Sequence, residues 1–416
     1  MGCQKFINTA NFTLFYQNFK AMNRSFLVAL ISFSLLLISQ QPKAQLPEIT
    51  LTDSAKVSLL TCSQGDELYS IFGHSAIRVT DKSKGVDWVF NYGTFDFSDP
   101  SFYTNFVKGK LNYILSVSTY QNFEYSYIFE ERFIYEQELN LNLPEKQKLL
   151  DSLRINYMPI NRFYLYDFLF DNCATRIRDI FIETIPRSIE FDYGGLIEGK
   201  TFRQLLMPYV KEKPWAKLGI NMLLGVRADR VAEPWEYMFL PDHMMAAFAG
   251  AYLNDNGEII PFVSPPKEIL VGEEIPKSRF RNAPLFVFIL FLIITVFMTY
   301  KDVKNARFSR WFDAIVFSLV GLLGIVIAFQ WFGSDHAVMA RNYNLLWTHP
   351  LHFIAVIAMF IRPCKNITKY YFGFNTVLML LLLAFWFLLP QSLPLPMLPL
   401  VGALGLRSAT IYRFFV

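Results

Sequence analysis

The last third of the chain restricts what the whole can fold into. Between residue 284 and the C-terminus run four apolar stretches, about 284–300, 311–332, 345–361 and 371–389, each long enough to cross a bilayer. A fifth, about 396–412, is weaker because it carries two prolines and Arg407. Lys301, Lys304, Arg307 and Arg310 fill the loop 301–310, and Arg362, Lys365 and Lys369 fill the loop 362–370, whereas 333–344 and 390–395 together carry only Arg341. Basic loops stay on the cytoplasmic side. This bias places 301–310, 362–370 and the C-terminus in the cytoplasm and residues 45–280 outside. Lys277, Arg279 and Arg281 run against it. "MNRSFLVALISFSLLLISQQPKAQ" (22–45) argues independently for export: its basic start, apolar run and polar end read as a secretory signal, with the 21 residues before it as an upstream extension.

Residues 46–280 are different in kind. The chain as a whole is 53% hydrophobic, too apolar for an ordinary soluble enzyme, but this segment has a mixed globular composition. Strands are expected at "SAIRVTD" (75–81), "DWVFNYGTF" (87–95), "KLNYILSVST" (110–119) and "RFIYEQELNL" (132–141), rich in β-branched and aromatic residues and parted by turn-like tracts such as "DKSKG". "PEKQKLLDSLRINY" (144–157) reads as a helix opened by Pro144, and the Asn–Gly pair within 251–263 as a hairpin. The pattern is α+β, followed by an all-α transmembrane bundle of about five helices. A net charge of +4, with no basic tract, excludes a nucleic-acid partner. The four cysteines form no CxxC pair and no spaced set with histidines, which excludes a structural zinc site.

Within the exported segment, "FDNCATRIRD" (170–179) holds the most informative cysteine. Asp171 and Asn172 are good N-caps, Ala174, Ile177, Ile180 and Phe181 recur at helical spacing, and Pro186 marks an end. Cys173 then falls in the first helical turn, where unpaired N–H groups and the helix dipole favour a thiolate. Only His74 and His243 lie in the same segment, and His74 stands just ahead of a strand. A thiol nucleophile needs an imidazole to take its proton, and the imidazole a polar partner to fix its tautomer. The competing reading of the cysteines is a disulfide between Cys62 and Cys173.

"LLTCSQGDELYSIFGHSAIRV" (59–79), "VFNYGTFDF" (89–97) and "NRFYLYDFLFDNCATRIRD" (161–179) resemble the N-terminal periplasmic domain of the Lnb family of lipoprotein N-acyltransferases, and the multi-span tail fits the same family. The His-before-Cys order also resembles circularly permuted papain-like folds of the NlpC/P60 and lecithin:retinol acyltransferase kind. The resemblance implies three parts: an extension and signal peptide (1–45), a periplasmic catalytic domain (46–280) and a transmembrane domain (281–416) in the bacterial inner membrane. It implies Cys173 as nucleophile, His74 as base and a third, orienting group on the following strand, for which Asn91 is preferred and Asp87 is the rival. The implied reaction moves an acyl chain from a phospholipid through a Cys thioester to the α-amine of a diacylglyceryl-cysteine lipoprotein, with no metal or nucleotide cofactor. The alternatives are a peptidoglycan amidase or endopeptidase, and a non-catalytic scaffold. Arg78, Arg176 and Arg178 are candidates for a phosphate headgroup or, equally, for intradomain ion pairs. Asp335, His336, Asn342, Asn344 and His349 gather at the outer face of the tail, either lining a substrate site or anchoring at the interface.

Overall fold

The computed structural model describes residues 46–95, 99–193, 199–255 and 257–415; the signal segment, the upstream extension and Cys3 lie outside the described residues. Six strands come first: Lys56–Cys62 (β1), His74–Asp81 (β2), Val86–Thr94 (β3), Asn112–Thr119 (β4), Ile134–Glu138 (β5) and Phe163–Leu165 (β6). Ser188–Phe191 (β7), Ala251–Asp255 (β8) and Glu258–Pro261 (β9) form a separate antiparallel sheet, and Lys267–Leu270 (β10) returns to the first. The main sheet has seven strands in the order β10-β5-β1-β2-β3-β4-β6, every pairing antiparallel.

All four expected strands, the helix Leu143–Tyr157 and the 251–263 hairpin are present, with ends shifted by a few residues. The strand at the heart of the sheet was not expected. β1 reads KVSLLTC and is buried at every position after Lys56, because both of its faces are covered. A strand wrapped on both sides loses the alternation that marks a half-buried one. One cover is the helix Tyr120–Phe129, whose Phe123 and Tyr127 pack with Leu60, Cys62, Ala76, Val89 and Ile134. The other cover is the helix Pro241–Ala249, which packs on β1, while the helix Cys173–Thr184 packs on β2 and β3 through a buried stripe of Ala174, Ile177, Ile180 and Phe181.

Four helices in the tail are long and apolar enough to span a membrane: Ala283–Lys304, Arg310–Phe332, Arg362–Leu388 and Leu395–Phe414. The weak fifth stretch is therefore a full helix. Its Arg407 is wholly buried, with Nε and Nη2 on Asp313 at 2.6 and 2.8 Å, Nη2 on Asp302 at 2.6 Å and Nη1 on the Thr299 hydroxyl at 3.0 Å. The expected span at 345–361 is instead broken, with Leu345–Thr348 and Leu351–Met359 as separate helices. Pro350 has no N–H to continue the ladder, and its ring disfavours a helical His349. The chain still crosses the bundle: Tyr343 at one end donates to Gln391 at 2.5 Å, while Phe360 at the other packs on Trp311 at 5.1 Å. Gly324 makes room for the break, since a Cβ there would lie 1.8 Å from the Thr348 carbonyl oxygen.

Soluble and membrane parts are welded rather than strung together. Residues Glu48–Val416 pack as one compact unit. Met222, from the helix Pro214–Leu223, is buried in the same core as Trp347, Leu393 and Met397.

Candidate active site

Asn172 starts the Cys173 helix. Its Oδ1 accepts from the Ala174 and Thr175 N–H groups at 2.9 and 3.0 Å, while Thr175 Oγ1 accepts from the Asn172 N–H at 2.8 Å. Asn172 Nδ2 also donates to the Phe168 and Phe239 carbonyls, both at 2.9 Å, so the cap is fastened to its surroundings. Cys173 is left at the first helical position, whose N–H has no acceptor within the helix. Asp171, the other cap candidate, pairs instead with Arg176 at 2.5 Å.

His74 reaches this thiol from the start of β2. Gly73 before it sits at φ +80°, and a Cβ there would come within 2.9 Å of the Cys62 carbonyl. Only glycine fits that approach without strain. Asn91 lies on β3, on the same face as His74 by register (Ile77 stands opposite Phe90), and its Oδ1 meets His74 Nε2 at 2.5 Å. Nδ1 is then the nitrogen that faces Cys173. The β3–β4 register breaks just after Asn91, with Gly93 at φ +91°; a Cβ at Gly93 would lie 3.6 Å from Cys173 Cβ and 3.9 Å from His74 Cε1. Such bulges re-aim strand side chains beside a site. Asp87, the rival third residue, is held by Arg78 at 2.8 Å.

Burial alone would hold the Cys173 thiol protonated. The His74 charge and hydrogen bond, with the Ser75 and Ala174 N–H groups, outweigh it, and the thiol titrates below its usual 9.0. Burial likewise opposes an imidazolium, yet the Cys173 thiolate and the bonds to Cys173 and Asn91 raise His74 above 6.5. Cys62 is the contrast: burial pushes its thiol up to about 12. Both cysteines are free, so the disulfide reading fails. Cys62 stands across from His74 on β1, and its side chain packs in the core.

The sequence reading missed Tyr164. This residue on β6 is buried, and its hydroxyl has no hydrogen-bond partner among the described residues. That hydroxyl would lie 3.9 Å from a Cβ at Gly93, which puts it on the rim shared by Cys173 and His74. An orphaned buried hydroxyl costs about 1–3 kcal/mol and so marks a place where a ligand atom is wanted. The only sequence signal was its position in the NRFYLYDFLFDNC block that leads into the cysteine.

The remaining candidates lie elsewhere or are already engaged. Arg78 pairs with Asp87 and Glu136 and stacks on Tyr120; Arg176 pairs with Asp171 and stacks on Tyr164; Arg178 pairs with Asp179 and stacks on Trp235. Ion pairing describes all three. Asn342 and Asn344 are buried at the domain junction, where Asn342 Nδ2 donates to the Met222 and Leu223 carbonyls at 2.7 and 3.1 Å and Asn344 Nδ2 to the Met222 carbonyl at 3.1 Å. They fasten the helix Pro214–Leu223 to the bundle, in a network completed by Gln391. His336 Nε2 donates to the Phe106 carbonyl at 2.7 Å, and Asp335 lies 3.8 Å from Lys110. His349 stacks on His352 at 4.1 Å inside the bundle, at the broken span. None of these five tail residues joins Cys173. No cluster of metal-binding side chains occurs among the described residues.

Comparison with known families decides the relationship. The Lnb N-terminal periplasmic domain matches residues 44–206, and the Lnb transmembrane domain matches residues 276–416. The chain belongs to the Lnb family. It is a multi-pass membrane protein with a periplasmic domain, as the charge bias and signal segment required. Neither the curated proteins nor the solved structures yield a match.

Proposed function

We propose that this Lnb-family chain is a lipoprotein N-acyltransferase of the inner membrane, with Cys173 as nucleophile, His74 as acid and base, and Asn91 as the residue that positions His74. The reading rests above all on one observation: the Cys173 thiol and the His74 imidazole meet beside Gly93, with His74 hydrogen-bonded to Asn91, in a domain welded to a membrane bundle. A periplasmic thiolate held at a bilayer has lipid esters as its nearest acyl donors. The permuted papain-like kinship is part of the same proposal.

In the first step Cys173 Sγ attacks the carbonyl carbon of a phospholipid ester. The C–S bond forms and the carbonyl oxygen becomes an oxyanion, which the Cys173 N–H and the Tyr164 hydroxyl stabilise. The C–O bond then breaks, His74 gives its proton to the leaving alkoxide, and a lysophospholipid departs. In the second step the α-amine of a diacylglyceryl-cysteine lipoprotein attacks the thioester. The C–N bond forms, the C–S bond breaks, and neutral His74 takes the amine proton, restoring the ion pair. Thioesters react readily with amines, and a site poor in water limits hydrolysis.

Purified protein with phospholipid alone should accumulate an acyl group on Cys173, seen by intact mass and removed by hydroxylamine. A diacylated lipopeptide with a free α-amine should clear it and leave with one more acyl chain. His74→Ala should prevent the adduct. Cleavage of muropeptides, with no acyl group ever found on Cys173, would overturn the proposal in favour of a cell-wall hydrolase.

A further inference from the structure

Aromatic rings form a continuous row on the periplasmic domain. Tyr166 stacks on Tyr113 at 4.3 Å, Tyr113 meets Phe95 at 5.4 Å, Phe95 meets Phe102 at 5.5 Å, and Phe102 stacks on Phe106 at 6.2 Å. One end is at the thiol. Tyr113 stands directly across from Tyr164 in the β4–β6 pairing, with ring centres 6.4 Å apart, and the Tyr164 hydroxyl borders the Cys173 rim. At the other end is the membrane. Phe106 lies 6.3 Å from the His336 ring, its carbonyl accepts from that ring, and the Lys108 carbonyl accepts from the Asp335 N–H at 2.9 Å. Asp335 and His336 come just after Phe332, the last residue of the span Arg310–Phe332.

We propose that this row is the seat of an acyl chain of a membrane phospholipid, leading from the outer bilayer surface to Cys173. The inference rests on the acyl-transfer reading and names where its donor lies. Three observations select a lipid chain over a peptide. The surface is apolar where it meets the membrane, with Tyr103 73% exposed, Phe106 49% and Phe332 72%. Such side chains belong at the headgroup boundary, where aromatic rings are enriched. Every ring of the row is a Phe or a Tyr, so a long apolar chain would find ring faces and edges along its length. Lys108 and Lys110, both exposed, flank the outer end, and their charge suits the phosphate of a lipid headgroup.

The test uses the full-length protein in bilayer nanodiscs containing phosphatidylethanolamine with a mid-chain diazirine. Irradiation should label the 102–113 segment as well as the spanning helices. Phe106→Ser removes about half of one buried-ring contact with the chain, on the order of 1.4 kcal/mol, and should slow acyl-Cys173 formation about tenfold. Alkylation of Cys173 by iodoacetamide should not change, which certifies the fold and the thiol. Label confined to the spans, with Phe106→Ser acylated at the wild-type rate, would overturn the inference and leave the transferase reading standing. Label on 102–113 without any acyl group on Cys173 would support the lipid seat and sink the transferase reading. A muropeptide photoprobe labelling the row in place of lipid would overturn both.

Discussion

Replacing Asn91 with alanine deletes the acceptor that holds His74 Nε2 at 2.5 Å and leaves the thiol and the imidazole in place. The Asn91 carbonyl, which accepts from the Thr94 and Ser116 hydroxyls at 3.4 Å, is main chain and survives the change. A hydrogen bond to a charged partner is worth about 1.5–3 kcal/mol. At about 1.36 kcal/mol per decade, alkylation of Cys173 by iodoacetamide at neutral pH should slow about 10- to 100-fold. The pH profile gives a sharper reading. His74 is raised, so its charge stabilises the pair at low pH and is lost as pH rises through its folded value. Cys173 is lowered, so its thiolate persists until pH falls through a folded value below 9.0. Without Asn91 the imidazolium is weaker: the upper limb should move to lower pH and the lower limb to higher pH, narrowing the reactive window from both sides. Asn91→Asp keeps an oxygen in place and should restore most of the rate. Peptide-resolved mass spectrometry separates Cys173 from Cys364, while Cys62 is too buried to react. If Asn91→Ala alkylates at the wild-type rate with an unmoved profile, Asn91 does not position His74.

Three further outcomes follow from the geometry. Cys173→Ala should abolish acyl transfer with the protein still inserted, whereas Cys62→Ala should keep substantial activity; equal and complete loss in both, measured on matched amounts of folded protein, would restore a structural link between the two thiols. Tyr164→Phe should slow acyl-Cys173 formation about 100-fold, the usual effect of losing one oxyanion donor, while iodoacetamide alkylation, which builds no oxyanion, stays unchanged; equal slowing of both reactions would assign Tyr164 to thiol activation instead. Arg407→Leu leaves Asp302 and Asp313 buried without a counter-ion and should cost about 3–5 kcal/mol, read as a lower thermal midpoint in detergent. A midpoint equal to that of the wild type would mean that the ion pairs contribute no net stability.

Local signals reached far in this chain. Apolar length and loop charge gave the membrane tail and its orientation, because a span must satisfy its backbone within one segment and so writes itself into consecutive residues. The start of the Cys173 helix was equally legible, since a cap and a 3.6-residue stripe are short-range features. What escaped depended on residues distant in the chain. β1 lost its alternation because helices of later sequence cover both of its faces. Asn91 and Asp87 are four residues apart on one strand, and only the β2–β3 register and the Arg78 guanidinium separate the residue that meets His74 from the one that does not. Arg407 argues against a span until Asp302 and Asp313 are brought beside it from two other helices. Asn342 and Asn344 look like a polar lining by position alone, but the Met222 and Leu223 carbonyls, 120 residues earlier, take their amide protons and make them a seam between domains. A polar side chain's residue type states that it needs a partner, and only the packed chain decides which partner it gets.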